Sequence, residues 1–244
     1  MNFFRSLRVV PAAITNRKRG GNIVSLSIIP EETALLVVDM QNGMCHPQGT
    51  LGKSGVDMGP QQAVIEPIAE VVRACQEAGI SDIWTLQEHY REDKGRDAHR
   101  IQHHTLRRVN ILCEKGSWDI EILDELKPLL NDKSHIIGKQ KFSAFYSTNL
   151  DVLLRILGTR MLIITGTSTN LCVETTIRDA YMRDYDCVIV EDCVAGANPE
   201  WHRVSLEVWR KFLGLVVTRK ELFEMLPARV GPEIREKEPP QPFN

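Results

Sequence analysis

No stretch of this 244-residue chain approaches the ~20 consecutive apolar residues that cross a bilayer, so no membrane partner is expected. No two of its six cysteines (Cys45, Cys75, Cys113, Cys172, Cys187, Cys193) form a C-x-x-C pair, so neither a zinc module nor a disulfide framework is indicated. There is no basic excess: 30 Lys and Arg face 32 Asp and Glu, for a net charge of -2, and no nucleic-acid partner is expected. Internal repeats are absent as well. With 43% hydrophobic and 25% charged residues, the composition excludes disorder, collagen and coiled coil. What is left is a soluble chain with reduced thiols, expected in the cytoplasm. Folding at this size buries roughly 70–75% of the unfolded surface, so the core needs no staples.

The two ends differ from the middle. Residues 1–30 carry Arg5, Arg8, Arg17, Lys18 and Arg19 with no acid before Glu31, which reads as an N-terminal arm. A mitochondrial presequence, also Arg-rich and acid-poor, is the alternative for that segment. Residues 227–244 hold five of the twelve prolines and read as an extended C-terminal tail. The domain is expected at 31–226.

Six short apolar runs lie between: Ala34–Val38, Ile83–Leu86, His135–Ile137, Met161–Thr165, Cys187–Val190 and Leu213–Val217. They do not alternate apolar with polar residues, which is the pattern of strands buried on both faces. The segments between them show helical periodicity. In 61–78, Val64, Ile65, Ile68, Val71, Val72 and Cys75 share one face, and Gly79 ends the helix. Residues 148–157 end at Gly158 in the same way, and Asn198-Pro199 opens a helix running to about Phe212. Buried strands alternating with helices predict a three-layer α/β/α domain on a six-stranded, mostly parallel sheet. From Glu88 to Arg108 the rhythm breaks into a polar segment with six basic residues and four histidines, expected to be a functional loop or lid.

Ligands of open parallel sheets bind beyond the carboxyl ends of the strands. Reactive side chains follow three of the runs: Asp39 after the first, Lys139 after the third, and Cys172 a few residues after the fourth, at the expected start of a helix. An acid, a cation and a thiol thus converge on one rim. A helix N-terminus and a nearby lysine both lower a thiol pKa from about 8.5, so Cys172 is expected to be acidic and quick to alkylate near neutral pH. The small residues of Gly166-Thr-Ser-Thr-Asn let backbone N–H groups approach a substrate oxygen. Cys75, Cys187 and Cys193 read as core residues, while Cys45 and Cys113 have no placed partner.

These residues carry a resemblance. LLVVDMQNGM (35–44), GKQKFSAF (138–145) and TGTSTNLCVETTIRDA (165–180) resemble the signature blocks of the isochorismatase-like cysteine hydrolases, with further similarity at KGSWDIEILDEL (115–126) and VIVEDCVAG (188–196). Within that superfamily the blocks are most similar to the ureidoacrylate amidohydrolase branch. The resemblance implies Cys172 as nucleophile, Asp39 as general base and later acid, and Lys139 as the cation that orients both. The family pattern K-x-x-(Y/F)-S selects Lys139 over Lys141. It further implies a cis peptide at Thr167–Ser168 and an oxyanion hole from the N–H groups of Ser168 and Cys172. Gln41, Gln87, His89, Phe142 and Ser143 would line the substrate.

The implied activity is a cofactor-free amidohydrolase that cleaves a C–N bond of a small ureido, carbamoyl or carboxamide compound through a thioester-type intermediate. Homo-oligomers, dimers or tetramers, are common in such a family. Gln87-Glu88-His89 lacks the Asp of the nicotinamidase D-x-H metal set, and no metal is expected. His99 and His103 have ligand spacing, yet their polar surroundings read as a solvated loop. Ureidoacrylate-type enzymes carry an Asn and a Trp near Gln87 and His89, and Phe142 stands where Tyr is commoner, so the acyl pocket differs. The basic residues Arg91, Lys94, Arg96, Arg100, Arg107 and Arg108 are candidates for a carboxylate clamp, with a solvated loop as the plainer reading. Two alternatives compete: a vinyl ether hydrolase of the isochorismatase type, which does not need the thiol, and a non-catalytic oligomeric scaffold, which would be expected to have lost one of Asp39, Lys139 and Cys172.

Overall fold

The computed structural model describes residues 18–19, 22–23, 27–90 and 111–227. Most of the arm, the tail from residue 228, and the loop carrying the six basic residues, His99 and His103 lie outside the described residues. All six apolar runs form strands: β1 Thr33–Val38, β2 Ser81–Gln87, β3 His135–Lys139, β4 Met161–Thr167, β5 Asp186–Ala195 and β6 Leu215–Val217. They make one sheet in the order β3-β2-β1-β4-β5-β6, parallel at every pairing rather than mostly parallel. β6 is shorter than its run, because Leu213 ends the π-helical turn Trp209–Leu213.

The non-alternating pattern of β1 has its reason in the layers. Leu35 and Val37 point into one core, and Ala34, Leu36 and Val38 into the other. The first core is closed by helix α1 (Ile65–Glu77) with Ile68 and Val72, the second by α2 (Leu150–Ile156), α3 (Glu174–Tyr181) and α4 (Pro199–Val208) through Leu154, Ile177 and Leu206. A last helix, α5 (Arg219–Met225), adds Leu222 to the first core and opens on a capping box between Thr218 and Glu221. Each such side chain, fully buried, contributes about 1.5–3 kcal/mol. Cys75 and Cys193 sit in the first core and Cys187 in the second.

The helix expected over 61–78 is two helices, Gly59–Ala63 and Ile65–Glu77, joined at Val64. Pro67 explains the break, since it has no N–H for the carbonyl of Ala63 and its ring crowds that carbonyl. Asn198 caps α4 as expected, its side chain accepting from Trp201 N at 3.0 Å with Pro199 in the first turn.

One glycine matters for what lies at the sheet edge. Gly166, near the end of β4, has φ +116°, and a Cβ there would fall 2.1 Å from the Val38 carbonyl oxygen. The absent side chain lets the ends of β1 and β4 meet.

Candidate active site

Strand order reverses between β1 and β4, and the carboxyl ends of the strands on both sides of this switch carry the reactive groups. Asp39 leaves β1 in the left-handed region, at φ 52°, a conformation that Asp tolerates better than most residues. Its N–H donates to Thr85 O at 3.0 Å, and Thr85 Oγ1 donates to Asp39 Oδ1 at 2.8 Å. Lys139 ends β3, and its ammonium lies 2.7 Å from Asp39 Oδ2, with both side chains fully buried.

Lysine has three protons to place. One goes to Gln87 Oε1 at 2.7 Å and one to Lys141 O at 3.2 Å, which leaves the third on the side of Asp39 Oδ2. The approach to Oδ2 is an ion pair without an aligned hydrogen bond, and among the described residues Oδ2 has no other donor. The two carboxylate oxygens are therefore distinct: Oδ1 is tied to Thr85, and Oδ2 faces the cation. Burial works against the Lys139 ammonium, but Asp39 and Cys172 more than offset it and hold its pKa above the ordinary lysine value.

The Cys172 thiol is close enough to both Asp39 and Lys139 for each to act on it electrostatically. It sits in a π-helical turn, Thr169–Val173, that leads into α3, and the Thr167–Ser168 peptide before the turn is cis. Burial pushes the thiol up to about 12, Lys139 pulls it down and Asp39 raises it again. The expected acidity is thus corrected. A thiol 2% exposed loses more from desolvation than a lysine already committed to a carboxylate can return, and Cys172 rests protonated.

The expected substrate-side residues divide. Gln41 is fully buried and spent on backbone: its Nε2 donates to Gln87 O at 3.0 Å and Ile120 O at 2.9 Å, and its Oε1 accepts from Gln87 N at 2.8 Å. Ser143 donates to Asp179 and accepts from Phe145 N, which fastens the loop after Lys139 to α3. Gln41 thus holds backbone groups, and Ser143 ties the Asp179 side chain to Phe145 N. Gln87 bridges Lys139 to His89, its Nε2 lying 3.0 Å from His89 Nε2. Because Lys139 can only donate, Gln87 must turn its oxygen to it and its NH2 to His89, which makes His89 Nε2 the acceptor. Phe142 is half-buried against the second core. Cys45 and Cys113 are buried beneath Asp39, and burial raises both.

Thr85 was missed by sequence reasoning. Its only signal is a hydroxyl inside the otherwise apolar run IWTL, paired in register with Val38 just before Asp39. A hydrogen bond to a charged group is worth about 1.5–3 kcal/mol. Thr85→Val should lower kcat at least about tenfold with KM nearly unchanged, because it frees the rotation of the carboxylate without touching a substrate contact. Steady-state kinetics with kcat within twofold of wild type would remove Thr85 from the site.

Among the described residues no cluster of His, Cys, Asp and Glu is suited to hold a metal, and no helix is long and apolar enough to cross a membrane. The isochorismatase domain family matches residues 33–221. The ureidoacrylate amidohydrolase RutB of Acinetobacter baylyi is 35% identical over 229 residues, covering 86% of this chain and 92% of its own. Among solved structures, a cysteine hydrolase from Pseudomonas syringae pv. phaseolicola has a TM-score of 0.70 at 27% identity, covering 82% of this chain and 95% of its own. The N-carbamoylsarcosine amidase of Thermoplasma acidophilum has a TM-score of 0.59 at 25% identity, covering 77% and 96%.

Proposed function

This chain belongs to the isochorismatase family, and from that premise we propose that it is a cysteine amidohydrolase cleaving the C–N bond of a small ureido, carbamoyl or carboxamide compound. The observation that carries the reading is the buried thiol of Cys172 facing both the Asp39 carboxylate and the Lys139 ammonium. Relatives named ureidoacrylate amidohydrolase and N-carbamoylsarcosine amidase support a ureido or carbamoyl acid as the substrate class.

Asp39 Oδ2 takes the thiol proton as Sγ bonds to the carbonyl carbon, so the resting thiol need not ionise first. Lys139 stays charged and offsets the negative charge passing from carboxylate to sulfur to oxygen. The N–H groups of Ser168 and Cys172 receive that oxygen, and an oxyanion donor of this kind is typically worth about 3–4 kcal/mol. The tetrahedral species collapses, the C–N bond breaks, and the nitrogen leaves with the proton from Asp39 as ammonia or an amine, any carbamate appearing only when the thiocarbamate is hydrolysed. Asp39 then deprotonates water, which attacks the thioester or thiocarbamate. The sulfur departs and recovers its proton from Asp39, restoring the starting state. We assign His89 and Phe142 to the substrate side and Gln87 to orienting Lys139.

The domain limits 31–226 are part of the proposal, supported by the family match over 33–221. So are a homodimer or homotetramer, supported by the exposed apolar side chains of Met182, Trp201 and Phe212, and a cytoplasmic location, supported by six free cysteines.

The test is nitrogen release from ureidoacrylate, N-carbamoyl amino acids, biuret, triuret, maleamate and nicotinamide, with a chelator present. Turnover of a ureido or carbamoyl member is expected. Silence across all six classes would overturn the assignment.

A further inference from the structure

The nucleophile lies in a single π-helical turn, Thr169–Val173, ahead of α3. Val173 N donates to the Ser168 carbonyl at 3.2 Å, an acceptor it shares with Leu171 N at 3.0 Å, and Glu174 N reaches the Thr169 carbonyl, the wider spacing of a π turn. Two side chains of α4 reach into this turn from outside. His202 Nδ1 lies 2.9 Å from Oγ1 of Thr169, before the cysteine, and Ser205 Oγ donates to Glu174 Oε2 at 2.5 Å, after it. His202 and Ser205 are three apart, hence neighbours on one face of α4. The two contacts straddle Cys172.

α4 is suited to act as an anchor. It is capped by Asn198 and held in the second core by Leu206, with Trp209 just beyond its last residue. Thr169 is fully buried, and Gly196 leaves room for it: a Cβ at Gly196 would come 3.3 Å from both Cβ and Oγ1 of Thr169. Burial lowers the pKa of His202, so at neutral pH the imidazole is uncharged and Nδ1 can accept the threonine proton. Glu174 has a second donor in Arg178, at 2.7 Å, whereas among the hydrogen bonds of the described residues Thr169 Oγ1 has His202 alone.

We propose that α4 is a clamp on the nucleophile, in which His202 acting through Thr169, and secondarily Ser205 acting through Glu174, hold the turn so that Sγ stays between Asp39 and Lys139. All four are positioning residues, and the proposal rests on the cysteine-hydrolase reading above. A nucleophile held in place is what converts proximity into rate, and small misplacements far from the chemistry cost up to about 100-fold.

The experiment compares His202→Leu, Thr169→Val, their double variant, Thr169→Ser and Ser205→Ala with the wild-type chain. It reads kcat and KM on a substrate from the panel and, separately, iodoacetamide alkylation at pH 9 mapped by mass spectrometry. His202→Leu and Thr169→Val should each lower kcat about tenfold with KM within twofold, and the double variant should lose no more than either single one. Thr169→Ser, which keeps the hydroxyl, should restore most of kcat, and Ser205→Ala should lose less than His202→Leu. Alkylation of Cys172 should rise several-fold in both leucine and valine variants while the other buried cysteines stay protected. Wild-type kcat and wild-type alkylation in the two singles would overturn the clamp, as would fully additive losses. A rise at all six thiols together would also overturn it, because that is general loosening and not a local hold. If the wild type turns over no panel member, the function reading fails, and the alkylation arm still decides the clamp without substrate.

Discussion

Cys172→Ala is expected to reduce kcat by at least about 10,000-fold, the scale seen when a covalent nucleophile is removed from an enzyme that forms an acyl intermediate. Among the described residues nothing nearby can substitute. Ser168 lies in the same loop, but Cys172 is the group that faces both Asp39 and Lys139. The fold should survive, because alanine removes one sulfur from a residue 2% exposed and leaves the strands around it unchanged. Turnover in the variant above about one part in a thousand of wild type, with a normal melting curve, would refute the covalent route. The wild-type thiol offers a companion measurement. With its pKa pushed up to about 12, its alkylation by iodoacetamide should be slow at pH 7 and climb about tenfold per pH unit up to that point. A plateau reached below pH 8 would mean a resting thiolate, and Asp39 would then have no proton to take in the first step.

Lys139→Met should be the most damaging substitution for the fold and the site together. The ammonium is fully buried and makes the closest approach to Asp39 Oδ2, at 2.7 Å. Methionine fills nearly the same volume but leaves a buried carboxylate with only Thr85 on its other oxygen. Removing one partner of a buried ion pair typically costs about 3–5 kcal/mol. Urea unfolding should show a loss of that size, and turnover should vanish even under conditions where the variant stays folded. Gln87 and the Lys141 carbonyl lose their donor at the same time, so the loop after β3 should loosen too. A variant as stable as wild type would mean that Asp39 is not held as an ion by Lys139.

Much of this architecture was legible in the residues. TALLVV cannot be a half-exposed strand, and β1 is buried on both faces. That Asp39, Lys139 and Cys172 gather at one edge followed from the apolar runs, because a parallel sheet sends every strand end to the same edge, while the choice of Lys139 over Lys141 came from the family resemblance. Other features were hidden for identifiable reasons. The thiol's acidity depends on how much water its turn excludes, and burial is a property of the packed chain, not of the local spacing. Gln41 and Ser143 look like pocket residues in sequence because they flank the reactive ones, yet both are consumed by polar groups that only the fold brings near. Thr85 gives no cue beyond its hydroxyl. The break at Val64 was readable from Pro67, since a proline three residues into a helix removes a bond that the expected single helix required.

The strand order also sets a schedule. Asp39, Thr85, Gln87 and Lys139 all precede β4 in the chain, and β4 then inserts against the free side of β1, pairing Thr33 with Met161 through Val38 with Gly166. During synthesis, at about 5–20 residues per second, the acid and its cation can meet before the nucleophile exists. Until residue 167 has emerged, β1 offers an unpaired, largely apolar edge, the kind of template on which chains aggregate. A ribosome stalled before β4 therefore holds a harmless half-site and a hazardous strand, and the segment that supplies the thiol is the one that covers the edge.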